Sequence, residues 1–131
     1  MEKLNVLLLG SGGREHAIAW KIAQSEKLGK LFIAPGNGGT RLIGQNLNIR
    51  ETDFPAVKAA IIEHDVQLLI VGPEAPLVKG IREYIESDSD TENVLIIGPG
   101  KQGAKLEGSK AFSKEFMEKH QIPTARYGRF N

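Results

Sequence analysis

The chain has 131 residues, enough for one domain with a real core. Its 17 basic and 16 acidic residues leave a net charge of +1, so nothing in the charge balance asks for nucleic acid or an anionic membrane. Aromatic residues make up 6% and are not interleaved with basic ones, which argues against a stacking platform for single strands. There is no cysteine, hence no disulfide framework and no thiolate metal site. The N-terminus does not read as a signal peptide, and no apolar run approaches membrane-spanning length. A cytoplasmic protein without nucleic-acid or membrane partners is the expectation.

In chain order, Leu4 to Leu9 is a short apolar run, suited to a strand buried on both faces. It stops at Gly10-Ser11-Gly12-Gly13, and a helical pattern runs from about Arg14 to Ser25. Strand, glycine turn and helix aim backbone N–H groups and a helix N-terminus at an anion. Glu15 in the first turn suits the helix dipole, whereas Arg14 there makes sense beside an anion. Lys30 to Ala34 reads as a second strand and ends in the loop Pro35-Gly36-Asn37-Gly38-Gly39-Thr40. A short strand over Asn46 to Ile49 follows. Thr52 or Asp53 caps the next helix, with Pro55 tolerated in its first turn.

Gln67 to Val71 is another buried-type strand, ending in Gly72-Pro73-Glu74-Ala75-Pro76. A helix from about Leu77 to Glu86 leads into the acidic segment Ser87 to Asn93, read as a solvated turn. Val94 to Ile97 is the last strand of the series, ending in Gly98-Pro99-Gly100. A short helix around Gly103 to Glu107 comes next. Ser109 caps a helix from Lys110 to His120 whose Phe112 and Phe116 pack at i, i+4 as core. Tyr127 to Phe130 reads as the opening of a further strand.

Strands alternating with helices predict an α/β fold, a Rossmann-like parallel sheet with helices on both faces. Gly- or Pro-rich loops follow four of the strands. In an open α/β sheet those carboxyl ends share one edge, where ligands bind at the switch point. The glycine loop is not a dinucleotide fingerprint. Counting G-x-G-x-x-G from Gly10 puts Glu15 at the third position, and Ala34-Pro35 stands where the ribose-binding acid belongs. No Gly-Lys-Ser/Thr makes it a P-loop. A small phosphorylated ligand fits better.

Glu74, between Pro73 and Pro76, suits hydrogen bonding to a sugar hydroxyl or an amine. His16 either faces the cleft or packs in the first helical turn with its nitrogens satisfied by backbone. His64 and His120 sit near helix C-termini, where the dipole accounts for them. Lys110 at a helix start is either solvated or reaching for a phosphate. No His, Asp or Glu cluster has metal-ligand spacing.

Four stretches together closely resemble the N-terminal region of the phosphoribosylamine–glycine ligase (glycinamide ribonucleotide synthetase) family. They are GSGGREHAIAWK from Gly10, APGNGGT from Ala34, VGPEAPLVKGI from Val71 and KLEGSKAFSKEFMEKHQIPTARY from Lys105. One small departure is Gly38, where the family usually has alanine. The resemblance implies an ATP-grasp ligase of purine biosynthesis with a pre-ATP-grasp N-terminal domain. It joins glycine to 5-phosphoribosylamine through a glycyl phosphate, giving glycinamide ribonucleotide, ADP and phosphate. Carried over, Gly12, Gly13, Arg14 and Glu15 belong to the substrate loop. Asn37, Gly39, Thr40 and Glu74 line the same cleft, and Lys110 reaches ATP. Residues 1–100 would form the substrate-binding domain and 101–131 the start of the ATP-grasp region. The family chain is several-fold longer. The ATP-grasp subdomains, with their carboxylates for Mg²⁺ (or Mn²⁺) and most of the ATP contacts, would follow Asn131, leaving this segment inactive alone. The other reading is a self-standing Rossmann-like module that binds a nucleotide or sugar phosphate.

Overall fold

A computed structural model describes residues 2–128 and residue 130. Five strands form one parallel sheet: β1 (Leu4–Gly10), β2 (Leu28–Pro35), β3 (Gln45–Asn46), β4 (Leu68–Val71) and β5 (Leu95–Ile97). Their order is β3-β2-β1-β4-β5. β1 lies at the centre, with Leu7 opposite Phe32 of β2 and Leu69 of β4. The direction of winding reverses between β1 and β4, which makes that gap the topological switch point.

Right-handed crossovers sort the helices by face. The α1 helix (Gly13–Ile22) returns from β1 to β2 and packs Ile18, Ala19 and Ile22 against Val6, Leu8, Leu31, Ile33 and Ile70. Connections running the other way place α2 (Phe54–Glu63), α3 (Glu74–Val78) and α4 (Ile81–Glu86) on the opposite face. There Val57, Ala60, Ile61, Leu77, Ile81 and Ile85 cover Leu7, Leu9, Phe32, Leu69 and Val71. Both faces carry helices, but unequally. Leu95 and Ile97 pair with Leu68 and Ile70 and so face the α1 side. They are 61% and 56% exposed. Beside them an apolar hollow of about 310 Å³ is lined by Val6, Ile22, Leu28, Leu68, Ile70 and Ile97.

The second strand starts earlier than its apolar residues suggest. A register irregularity near its start leaves the Lys30 N–H to donate to Asn5 Oδ1 at 2.9 Å, a bond that periodicity does not reveal. The first helix stops at Ile22, short of Ser25, and β3 is two residues long. Asp53, not Thr52, caps α2: its side chain accepts from the Ala56 N–H. The expected helix over 77–86 is two helices. α3 starts at Glu74 and ends at Val78, and Gly80 at φ +90° turns the chain before α4. Among the acidic residues that follow, Thr91 is buried and donates to the Ile85 carbonyl at 2.7 Å, so that turn is not wholly solvated.

The α5 helix (Lys101–Gly108) is longer than expected and packs on α3, with Ala104 entering the main core. The α6 helix (Lys110–Lys119) is capped by Ser109, as expected. Its aromatic pair is not core. No residue of α6 is buried, Phe112 lies beneath Lys105, and Phe116 packs against His120 with its ring tilted. Tyr127, Gly128 and Phe130 are not in a strand; Arg129 of that expected strand lies outside the described residues. With no paired neighbour to supply backbone partners, three residues cannot sustain strand geometry.

Candidate functional site at the carboxyl edge of the sheet

The four glycine-rich loops do share one edge, because every strand is parallel. At the centre, β1 runs into α1 through Gly10, at φ +131°, Ser11 and Gly12. An α-helix leaves its first N–H groups without intrahelical partners. The first helical bond here is His16 N–H to the Gly12 carbonyl at 3.1 Å. The Gly12 N–H donates to Glu15 Oε2 at 2.9 Å. The N–H groups of Gly13, Arg14 and Glu15 therefore remain as donors at the helix mouth, with no partner among the described residues.

Glu15 itself is buried, its side chain 4% exposed. It lies between the loops after β1 and β4. A Cβ on Gly72 would stand 2.2 Å from Glu15 Oε1, and one on Gly10 would stand 2.3 Å from Glu15 Cγ. These glycines are required by close approach, not by turn geometry alone. The other carboxylate oxygen interaction is with Arg14, whose Nε donates to Oε1 at 3.1 Å. The anion beside Arg14 is thus the protein's own carboxylate. The guanidinium is about half exposed, with its terminal nitrogens unpartnered among the described residues.

Asn37 joins the second loop to the first. Its Oδ1 accepts from the Gly39 and Thr40 N–H groups at 2.8 and 2.9 Å. Its Nδ2 donates to the Ser11 carbonyl at 3.0 Å. Thr40 is fully buried; its Oγ1 accepts from the Asn37 N–H at 2.8 Å and donates to Asn46 Oδ1 at 2.7 Å. Asn46 Nδ2 in turn donates to the Asn37 carbonyl at 2.8 Å. The polar atoms of Asn37 and Thr40 are spent inside the protein, so these two residues shape the cleft rather than present free groups to it. Asn46, in β3 as expected, also joins this network. No local motif marks it, because its partners lie nine and six positions away. His16 is half-buried, and its imidazole fills the space beside Gly39 where a Cβ would stand 2.4 Å from Cε1. It wedges α1 against the second loop.

Glu74 is exposed and is the first residue of α3, not a loop residue, two positions beyond Gly72. Gly39 sits on the second loop as expected, whereas Gly13, Arg14 and Glu15 form the first turn of α1 rather than a loop, Gly13 with open space where a Cβ would be. Lys110 is apart from these loops. It lines a groove of about 620 Å³ with Ala111, Lys114, Tyr127, Gly128 and Phe130. The edge therefore assembles Gly12, Gly13, Arg14, Glu15, Asn37, Gly39 and Thr40 into one unit. Glu74 is adjacent through Gly72, and Lys110 stands elsewhere.

The sequence model of the family described as phosphoribosylglycinamide synthetase, N domain, matches residues 4–107. The chain belongs to the phosphoribosylglycinamide synthetase N-domain family. The match covers all five strands of the N domain and nearly all of α5. The chain is 52% identical over 128 residues to the phosphoribosylamine–glycine ligase of Mesorhizobium japonicum, covering 98% of this chain and 29% of that protein. It is 49% identical over 129 residues to the ligase of Haemophilus influenzae, covering 97% and 29%. The crystal structure of the Thermotoga maritima ligase resembles it with a TM-score of 0.65 at 34% identity, over 94% of this chain and 26% of that one. The chain thus spans less than a third of the length of these relatives.

Proposed function

We propose that this chain is the substrate-binding N domain of a phosphoribosylamine–glycine ligase, and that its carboxyl edge holds the 5-phosphoribosyl group. The observation that carries this reading is the trio of unpaired N–H groups at Gly13, Arg14 and Glu15, beside an exposed guanidinium. A phosphate there accepts several backbone hydrogen bonds and meets the positive end of the helix dipole. Gly13 matters because its missing side chain lets a ligand reach the backbone. Asn37 and Thr40 hold the second loop as the neighbouring wall, and a ribose hydroxyl or the amine is assigned to Glu74. In this role the chain binds and orients; the bond-forming step belongs to the longer ligase.

Residues 1–100 are proposed as the substrate-binding domain and 101–131 as the approach to an ATP-grasp region, anchored by Ala104. The ATP and Mg²⁺ of the ligase are assigned to that region. Lys110 and Lys114 in their groove fit an anion such as a nucleotide phosphate. No group of three His, Asp or Glu residues among the described residues fits a metal ion. A cytoplasmic location accords with purine synthesis, and among the described residues no helix is long and apolar enough to cross a membrane.

The test is calorimetric titration of ribose 5-phosphate into the 131-residue chain. Binding is expected, weakened about tenfold or more by Arg14→Ala and by Gly13→Val. Equal affinity in the folded variants, or no binding to the unsubstituted chain, would overturn the phosphate assignment.

A further inference from the structure

A Rossmann-like sheet wound 3-2-1-4-5 ordinarily offers the gap between its first and fourth strands to a ligand diphosphate. Glycines there let the phosphates approach the backbone. In this chain the gap is already filled. The carboxylate of Glu15 lies among Gly10, Gly12 and Gly72, accepts the Gly12 N–H at 2.9 Å, and is held from outside by Arg14. A carboxylate in that place, though paired with Arg14, brings its own negative charge to the position where the helix N-terminus would otherwise attract an anion. It also takes the volume that the three glycines leave open.

We propose that Glu15 is a specificity-determining residue, a built-in anion that closes the switch point to diphosphates and dinucleotides. It restricts this edge to a single phosphate on the outer N–H groups of Gly13, Arg14 and Glu15. The proposal rests on the reading of this edge as a phosphate site, but its measurement is separate. Glu15 acts in two ways. Its charge repels a second anion placed within a few ångströms, and its side chain occupies the crevice. Glu15→Gln removes the first and keeps the second; Glu15→Ala removes both.

The probe is inorganic pyrophosphate without metal, titrated into the unsubstituted chain and both variants, each first shown to be folded by circular dichroism. Glu15→Gln is expected to bind pyrophosphate about tenfold more tightly than the unsubstituted chain, and Glu15→Ala more tightly still. If Glu15→Ala does not fold, Glu15→Gln decides. A gain could also arise from a released guanidinium, so the comparison is repeated in an Arg14→Met background. A retained gain supports the proposal, and a gain that vanishes there overturns it. Equal pyrophosphate affinity in the unsubstituted chain and the folded Glu15→Gln variant also overturns it. Ribose 5-phosphate binding to the unsubstituted chain is measured alongside. Its failure would remove the phosphoribosyl reading while leaving the pyrophosphate comparison to judge Glu15.

Discussion

Gly10 shows what a single residue must do for this edge to exist. Its φ of +131° is open to glycine and strained for other residues, and any Cβ would meet the Glu15 side chain. Gly10→Ala is expected to cost about 1–3 kcal/mol in urea unfolding. Asn37→Ala removes bonds to Ser11, Gly39 and Thr40 and is expected to cost about 2–3 kcal/mol by the same measurement. Tyr127 supplies a titration test. Its hydroxyl donates to Glu118 Oε2 at 2.7 Å, which pushes the phenol up to about 12. A folded-state value raised above the usual 10 stabilises the fold fully below pH 10 and loses that contribution as pH rises through about 12. In a Tyr84→Phe background, phenolate absorbance should show the high value, and Glu118→Gln should bring it down. The sequence made the residues of the first two loops visible through glycine density after apolar runs. What it concealed was the direction of their polar atoms. Whether Glu15 points out to a ligand or back under Gly12 depends on the dihedral angles of Gly10 and on Gly72, 57 positions later in the chain.

The elements follow the pattern of apolar runs and caps closely where the segment is buried on both sides. β1 and β4 were plain for that reason, and Asp53 and Ser109 cap α2 and α6 as their side chains allow. The break between α3 and α4 was harder to see, because the apolar spacing of Leu77, Ile81 and Ile85 continues across it. Only the left-handed conformation of Gly80 interrupts the helix. Gly80→Ala is expected to cost about 1–2 kcal/mol in urea unfolding, the penalty of a Cβ in that region. A second link crosses between elements: Lys58 of α2 pairs with Asp88, just past α4. The hydrogen bond from Lys58, and then the Asp90 N–H, hold the Asp88 carboxyl below its ordinary 3.8, while Asp88 raises Lys58 above 10.5. The stabilisation is therefore present between these limits. It is lost as pH falls below 3.8 through the folded value of Asp88, and again as pH rises above 10.5 through that of Lys58. Asp88→Asn should lower the melting temperature at neutral pH, and the difference from the unsubstituted chain should vanish in acid.

For the whole molecule, alternation of strands and helices was enough to predict a parallel sheet with its loops on one edge. It could not show how unevenly the two faces are covered, since that depends on crossover direction rather than on any residue pattern. Nor does the aromatic spacing of α6 reveal that none of its residues is fully buried. Hydrogen exchange should resolve this hierarchy, with amides of β1 and β4 slowest and those of α6 and residues 121–128 fastest.

The half-bare face of β5 has a calorimetric consequence. Leu95 and Ile97 already meet water in the native state, so unfolding exposes less new apolar surface than a sheet covered on both sides would. The heat-capacity increment of unfolding should fall short of the ~12–15 cal/mol/K per residue typical of globular chains, and the urea m-value should be low in proportion. The stability curve of this chain should accordingly be broad and shallow, bending less on both the warm and the cold side of its maximum.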